Sequence, residues 1–378
     1  MAPPTRMTLH HSRKSCRIGN RLCLSGIQPA SWPQEVVTMT DQLVDECDVV
    51  VVGGGAAGLN GALVLARARR SVVVVDSGAP RNAPAEGVHG LLAREGVPPT
   101  ELLERGRAEV RGYGGRVVGG EVGSVTREGD RFAVTLVDGR SVRARRLLVA
   151  TGLVDELPDV AGLRERWGRD VLHCPYCHGW EVRDRAVGVL GAGPMAVHQA
   201  LLWRQWSADV VFFRHTRATG DEELEQLVVR GIRVVPGEVA SVEVVDDRVG
   251  GVRLVDGTLV AREVLAVPTR MVARTGFLAG LGLRAVEHPM GVGEHVPTDA
   301  AGRTEVPGVW VAGNVTDLTA QVGAAAAAGA AAAAQINADL VAEETRLAVA
   351  AHRDVFSAAS ESRVSALVVG DRRHGLRV

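Results

Sequence analysis

Two cysteines separated by two residues, Cys174 and Cys177, lie in the run His173-Cys174-Pro175-Tyr176-Cys177-His178. Sulfurs at this spacing close a small disulfide, and one of the two thiols is readily stabilised as a thiolate. A free cysteine titrates near about 8.5, and a neighbouring imidazole or helix end lowers that value. His178 follows directly and is placed to act as an acid–base partner. The spacing points to thiol–disulfide exchange at Cys174, Cys177 and His178. Half a zinc site is the competing chemistry, with His173 and His178 flanking the pair. It needs two further ligands, and no second Cys pair or His pair at metal spacing is present, so no metal is assigned.

A second constellation is Gly53-x-Gly55-x-x-Gly58, set between a strand-like run and a helical one. Glycines at these places allow a tight turn and let backbone approach a pyrophosphate, which the helix N-terminus then meets with free N–H groups. About 20 residues further on, Asp76 closes the next strand, the place for a carboxylate that accepts from a ribose diol. Gly191-x-Gly193-x-x-Ala196 is a second copy, with Ala in the tolerated third position. No acid closes its second strand; Arg214-His215-Thr216-Arg217 stands there instead. Cations at that point suit a 2′-phosphate and favour NADP over NAD, although the fold also persists in proteins that bind no nicotinamide. Two further strand–turn–helix segments suit a flavin's ribityl and pyrophosphate part: Leu148 to Gly152, with Thr151 and Gly152, and Val309 to Asn314, with Gly313, Asn314 and Gln321 before an Ala-rich stretch.

The elements that must position these groups form two βαβ units. Asp48 to Val52, a helix over Leu59 to Arg70, and Ser71 to Val75 make the first. Ala186 to Leu190, a helix through about Trp206, and Val210 to Phe213 make the second. Duplicated glycine loops imply two nucleotide folds. Gly115 to Ala150 and Val234 to Val267 show short strands, with turns at Glu128-Gly129-Asp130, Asp138-Gly139, Asp246-Asp247 and Asp256-Gly257. The Ala-rich segment after Gly323 is a helix, with 342–360 extending or following it. Asp221 to Glu225 is expected as a solvated helix face.

The chain has 378 residues, 46% of them apolar, and a net charge of −1. That accommodates two domains and gives no pull towards nucleic acid. Lys14 is the single lysine, a matter of genome composition. No apolar run reaches the roughly 20 residues of a membrane helix, and the N-terminus lacks the apolar core of a signal peptide, so a cytoplasmic protein is expected. Five cysteines are too few and too irregular for a secreted disulfide framework. Residues 1–46 are polar and aperiodic; a disordered extension is expected, with Met39 an alternative start.

In their order, the first glycine loop, Asp76, Thr151-Gly152, the Cys pair, the second glycine loop, and Thr304-x-x-Pro307-Gly308-Val309-Trp310-x-Ala312-Gly313-Asn314 resemble the bacterial thioredoxin reductase family over residues 47–341. In that family the Cys pair sits in the second nucleotide fold, just before its glycine loop. The resemblance implies an α/β chain of two Rossmann-like, three-layer nucleotide-binding domains, the second inserted into the first. An FAD domain would take 47–158 and 268–341, a nicotinamide-binding-like domain with the cysteines 159–267, and a C-terminal helix and tail 342–378. It further implies FAD, NADPH or NADH as donor, a homodimer, and rotation of one domain against the other. Cys177 would face the flavin and Cys174 would exchange with the substrate.

The sequence departs from the family where His178 replaces an Asp, where Arg214-His215-Thr216 replaces a His-Arg-Arg cluster, and where Asn314 replaces an Asp. Pro80-Arg81-Asn82 and His89-Gly90 occupy the place of a Gly-Gly-Gln, and Arg81 is counted with the cofactor contacts. These departures resemble a branch that includes the gliotoxin- and holomycin-type dithiol oxidases. Three readings follow. One is an NAD(P)H-dependent reductase acting on a thioredoxin-like protein or small disulfide. Another is an oxygen-dependent oxidase of a small dithiol. The third is a flavin-binding redox sensor.

Overall fold

The computed structural model describes residues 42–353 and 357–369. The expectations for residues 1–38, with Met39 as a start, and for the tail beyond 369 lie outside the described residues. Within the expected extension, Glu46 already opens the first strand, since its backbone pairs with Arg143.

The first sheet is built from β1 (Glu46–Val52), β2 (Val72–Asp76), β3 (Arg116–Gly119), β4 (Val122–Glu128), β5 (Arg131–Leu136), β6 (Ser141–Val149) and a late strand, Val309–Val311. Its order is β3-β2-β1-β6-β5-β4, and the late strand joins β6 in parallel. β1 and β2 are continuous valine runs because both their faces are buried. Alternate side chains feed separate cores. Val50, Val52, Val73 and Val75 pack to one side, and Val49, Val51, Val72 and Val74 to the other. On the latter side lie α1 (Ala56–Arg67), α2 (Pro99–Gly112) and a long late helix, Val322–Arg353.

β7 (Leu153–Glu156) leaves this sheet and leads through α3 (Leu163–Arg166) to a second, all-parallel one. That sheet contains β8 (Val171–Leu172), β9 (Val187–Leu190), β10 (Val210–Phe213), β11 (Arg233–Val235) and β15 (Val264–Ala266), in the order β11-β10-β9-β15-β8. α4 (Pro175–His178), α5 (Ala196–Trp203) and α6 (Asp221–Val229) connect its strands. β12 (Val239–Val245), β13 (Arg248–Leu254) and β14 (Leu259–Val260) form an antiparallel ribbon. The chain returns through β16 (Arg270–Ala273), which pairs antiparallel with β7 and parallel with β18 (Gly293–His295); β17 (Val286–Glu287) flanks β18. The late strand and helix are β19 and α7, and α8 (Ala358–Val369) follows. This is the expected α/β architecture of two Rossmann-like units, the second sheet lying in sequence between β6 and β19.

Two helices end earlier than the sequence suggests. α1 stops at Arg67 rather than Arg70 because Arg69 takes a left-handed conformation, φ 63°. α5 stops at Trp203, and Arg204 to Trp206 form a turn. Residues 342–353 extend α7, and Val364 to Val369, unplaced by sequence, belong to α8. Among the described residues no helix is long and apolar enough to cross a membrane.

α1 and α7 touch backbone to backbone. A Cβ on Gly329 of α7 would lie 1.9 Å from the Ala57 carbonyl oxygen. In an open helix Gly→Ala gains up to about 1 kcal/mol of propensity; here overpacking of about 1–3 kcal/mol opposes it. Gly329→Ala is therefore expected to lower the urea midpoint. A raised midpoint would show that the two helices are not locked together.

Candidate active site

The chemistry-bearing helix α4 is a product of its first two residues. Cys174 precedes a proline, which drives it into extended backbone, φ −101°, ψ 118°. Pro175 then fits the first helical position, where no N–H is required. One turn follows, with the N–H groups of Cys177 and His178 donated to the Cys174 carbonyl at 3.2 Å each. A side chain on Gly179 would strike the Trp206 ring, 2.8 Å away. Trp206 meets Tyr176 edge-on at 5.5 Å.

Both thiols are free, and they are not equivalent. The Cys177 S–H donated to Cys174, with backbone N–H groups of Cys177 and Tyr176 and the Arg81 charge, brings Cys174 down to about 7 against the opposing effect of burial. The same hydrogen bond, burial and the neighbouring charge push Cys177 up. Of the two, Cys174 is the sulfur whose ionised form is favoured and Cys177 the one that keeps its proton. His178 has neither ring nitrogen hydrogen-bonded among the described residues, and burial holds its imidazole below the ordinary value. It is neutral at pH 7, with one proton to give and one lone pair to receive. It makes no hydrogen bond to either sulfur in this state.

One cavity of about 1190 Å³ runs from the cysteines to the first glycine loop. That exceeds the roughly 300–1,000 Å³ of most small-ligand sites and suits a dinucleotide. Gly53, Gly55, Asp76, Arg81, Thr151, Gly152, Cys174, Cys177, His178, Gly193, Gly313, Asn314 and Gln321 line it. Gly58, Gly191, Ala196 and Arg214 do not; the first three act in packing the turns. Gly53 takes φ 106°, and a Cβ there would overlap the Ala150 carbonyl at 2.4 Å, while Gly55 faces open space. An FAD pyrophosphate fits that opening at the head of α1.

The cradle's polar groups are partly committed. Asp76 Oδ2 accepts from Arg107 at 2.7 Å, and Oδ1 from the Gly78 N–H at 3.2 Å. Thr151 donates to the Arg274 carbonyl at 2.9 Å. Arg81 gives two donors to Asp155, at 2.7 and 2.8 Å. Asn314 Nδ2 donates to the carbonyls of Asp317 and Ala320 at 3.0 and 2.8 Å, with Leu318 at 3.4 Å. Only an amide can do this; a carboxylate would face carbonyl oxygens without a proton to offer.

The second glycine loop lines the same cavity through Gly193, with several of its polar groups committed within the chain. Arg217 Nε donates to the Gly193 carbonyl at 3.0 Å, and its Nη1 and Nη2 to Glu223 at 2.8 and 2.7 Å. Pro194 has no N–H, and that of Ala196 is spent on Gly193. His215 Nδ1 accepts the Val239 N–H at 3.0 Å. Of the three cations expected at a 2′-phosphate, only Arg214 is left uncommitted in this way among the described residues. Glu223, expected on a solvated face, instead closes a capping box at the start of α6 and holds Arg217.

Sequence reading missed Asp155, Thr269 and the role of Glu223. Asp155 and Thr269 carry no motif; only folding brings them to Arg81 and the cysteines. Among the described residues no group of three or more His, Cys, Asp or Glu is gathered to hold a metal.

Alkylation of Cys174 by iodoacetamide, followed by peptide mass spectrometry, is expected to rise through a midpoint near the value of about 7, with Cys177 lagging. Cys177→Ala removes the largest stabilising donor, so the Cys174 midpoint should move up; an unchanged midpoint would refute the sulfur–sulfur hydrogen bond. Asn314→Asp should lower thermal stability and flavin content together, at about 1–3 kcal/mol for the lost donor. A variant as stable and as yellow as the parent would show that the donor role is dispensable.

The sequence profile of the pyridine nucleotide-disulphide oxidoreductase family matches residues 47–334. Thioredoxin reductase tcpT of Claviceps purpurea is 30% identical over 283 residues, 71% of this chain and 86% of that protein. The crystal structure of HlmI superposes with a TM-score of 0.77 at 52% identity, covering 82% of this chain and 97% of HlmI. An oxidoreductase from Agrobacterium tumefaciens superposes with a TM-score of 0.74 at 34% identity, covering 78% and 99%. With the cysteine pair, the cradle and both glycine loops in place, this chain belongs to the pyridine nucleotide-disulphide oxidoreductases, in the thioredoxin reductase-like group of enzymes that use FAD and NAD(P)H.

Proposed function

We propose that this enzyme moves electron pairs between FAD and an external thiol/disulfide couple through Cys174 and Cys177. The carrying observation is the single cavity that joins the first glycine loop to the two sulfurs. Bound FAD supplies the two-electron chemistry; Gly53, Gly55, Asp76, Thr151, Gly152, Gly313, Asn314 and Gln321 would hold it. Cys174 attacks one sulfur of an external disulfide and expels the other as a thiolate. Cys177 then loses its proton and attacks Cys174, which releases the second external sulfur and closes the Cys174–Cys177 disulfide. His178, next in sequence to Cys177 and with both ring nitrogens free of other hydrogen bonds among the described residues, is assigned the taking and returning of the proton in both steps.

In the reductive direction the electrons come from NAD(P)H and end on a thioredoxin-like protein or a small disulfide. In the opposite direction the exchange runs backwards. One thiolate of a small dithiol attacks Cys174 of the Cys174–Cys177 disulfide and releases the Cys177 thiolate. The second substrate thiol loses its proton and attacks the mixed disulfide, which releases the Cys174 thiolate and closes the substrate disulfide. The electron pair left on the two cysteines would pass by way of bound FAD to oxygen. The committed second loop, with Arg217 on Gly193 and Glu223 and with His215 turned to backbone, favours the oxidative reading. In both readings 47–158 and 268–341 form the FAD domain and 159–267 the inserted domain. The division of strands between the two large sheets supports that layout. A cytoplasmic homodimer completes the reading on family resemblance alone.

Anaerobic stopped-flow absorbance of the flavin-loaded protein tests this. Bleaching by NADPH or NADH at about 1–10³ s⁻¹ would establish the reductase. Bleaching by a small dithiol alone, lost in Cys174→Ala and Cys177→Ala, would establish the oxidase. Bleaching by neither donor would refute the proposal.

A further inference from the structure

Asp76 ends β2 at the cavity wall, and its side chain is 14% exposed. A carboxylate this covered needs donors in place of water. Gly54 makes room for it: a Cβ there would lie 2.4 Å from the Asp76 Cγ. Two donors then fix it. The Gly78 N–H reaches Oδ1 at 3.2 Å, and Arg107 Nη2 reaches Oδ2 at 2.7 Å. A carboxylate has about four acceptor sites, two on each oxygen. With one taken on each, one on each is left, the complement that two adjacent hydroxyls require. Arg107 comes from the middle of α2. The earlier residues Pro99, Leu102 and Leu103 of this helix line the cavity, and Arg107 does not. α2 lies close on α1 at this point, since a Cβ on Gly106 would meet the Leu59 side chain at 3.1 Å. The Arg107 side chain is 16% exposed, and its Nη1 donates to Glu104 of the same helix at 2.6 Å. The arginine is thus held by its own helix and reaches Asp76 without bordering the cavity.

We propose that Arg107 is a positioning residue for FAD: by taking one acceptor site of Asp76 Oδ2 it sets the carboxylate so that its free sites receive the two hydroxyls of the adenosine ribose. The inference rests on the reading of Asp76 as one of the residues that would hold FAD. Arg107 acts through Asp76 and not on the nucleotide itself. Its influence is therefore confined to the ribose diol, and a nucleotide without those hydroxyls is indifferent to it.

The test uses the full chain stripped of flavin and titrated with FAD, with ADP and 2′,3′-dideoxy-ADP as competitors. The two competitors differ only in the ribose hydroxyls, and rebinding is read from flavin fluorescence. The wild type should favour ADP over its dideoxy analogue. R107Q should cut that preference about tenfold, the effect of losing a hydrogen bond to a charged group, and weaken FAD by a similar factor. Its affinity for dideoxy-ADP should stay at the wild-type value. R107K, which keeps a charged donor, should recover part of the preference. D76N should lose the preference, and adding R107Q to D76N should cost nothing more. A loss shared equally by ADP and dideoxy-ADP would show that Arg107 only supports α2, and it overturns the proposal. An unchanged preference in R107Q, or a further loss in the double variant, overturns it as well. If R107Q does not fold, R107K decides: a reduced preference supports, an unchanged one refutes. If D76N keeps the wild-type preference, or the wild type shows none, the reading of Asp76 itself fails and the inference falls with it.

Discussion

An ionised sulfur in a cavity wall is stable only when donors replace the water it has lost. Burial pushes the Cys174 pKa up, and every other local feature works against that push. The proline that follows it forces the backbone to turn. The turn points two N–H groups and the Cys177 S–H at one sulfur. The parallel pairing of β8 with β15 sets that sulfur at the end of a buried sheet. The asymmetry between the two thiols is thus a property of four consecutive residues and the strand that carries them.

The opposite wall depends on a different constraint, the position of α7. The start of this helix, from Gln321 to Ala325, borders the cavity, while its later turns are anchored far from it. Arg145 binds Asp48, Glu343 and Glu344 at 2.8 Å each, Arg146 binds Asp339 at 2.6 Å, and Arg70 binds Asn337 at 2.8 Å. Glu344, shared by Arg70 and Arg145, is held down to about 2. Isolated surface pairs contribute little. A shared network joining β1, β6 and the helix instead fixes register, and the Gly329 contact with α1 sets the depth. Together they determine where the cradle opens.

The two glycine loops show how one motif reaches different ends. At Gly53 to Gly58 the backbone is packed from behind and open in front, so the helix end faces the cavity. At Gly191 to Ala196 the same strand–loop–helix path is kept, since a Cβ on Gly191 would lie 2.5 Å from the Arg214 carbonyl. Beside it Arg217 holds the Gly193 carbonyl and is in turn paired with Glu223, while Gly193 still lines the cavity.

Much of this was legible in order along the chain. Valine runs marked the buried parallel strands, because period and burial are local. Glycines marked the turns, because only a missing Cβ permits them. The Cys pair and the adjacent His marked the chemistry, because their spacing is fixed within one helical turn. The partners that tune those groups were not legible. Arg81 meets Asp155 and Thr269, and Arg217 meets Glu223, through side chains whose geometry depends on how separate elements cross. No periodicity encodes such a crossing. The sequence determined which residues do chemistry and on which folds they ride; the tertiary structure alone decided which distant partners those residues meet, Asp155 for Arg81 and Glu223 for Arg217. Electrostatic and packing terms of that kind depend on distance in space, which a spacing along the chain does not specify.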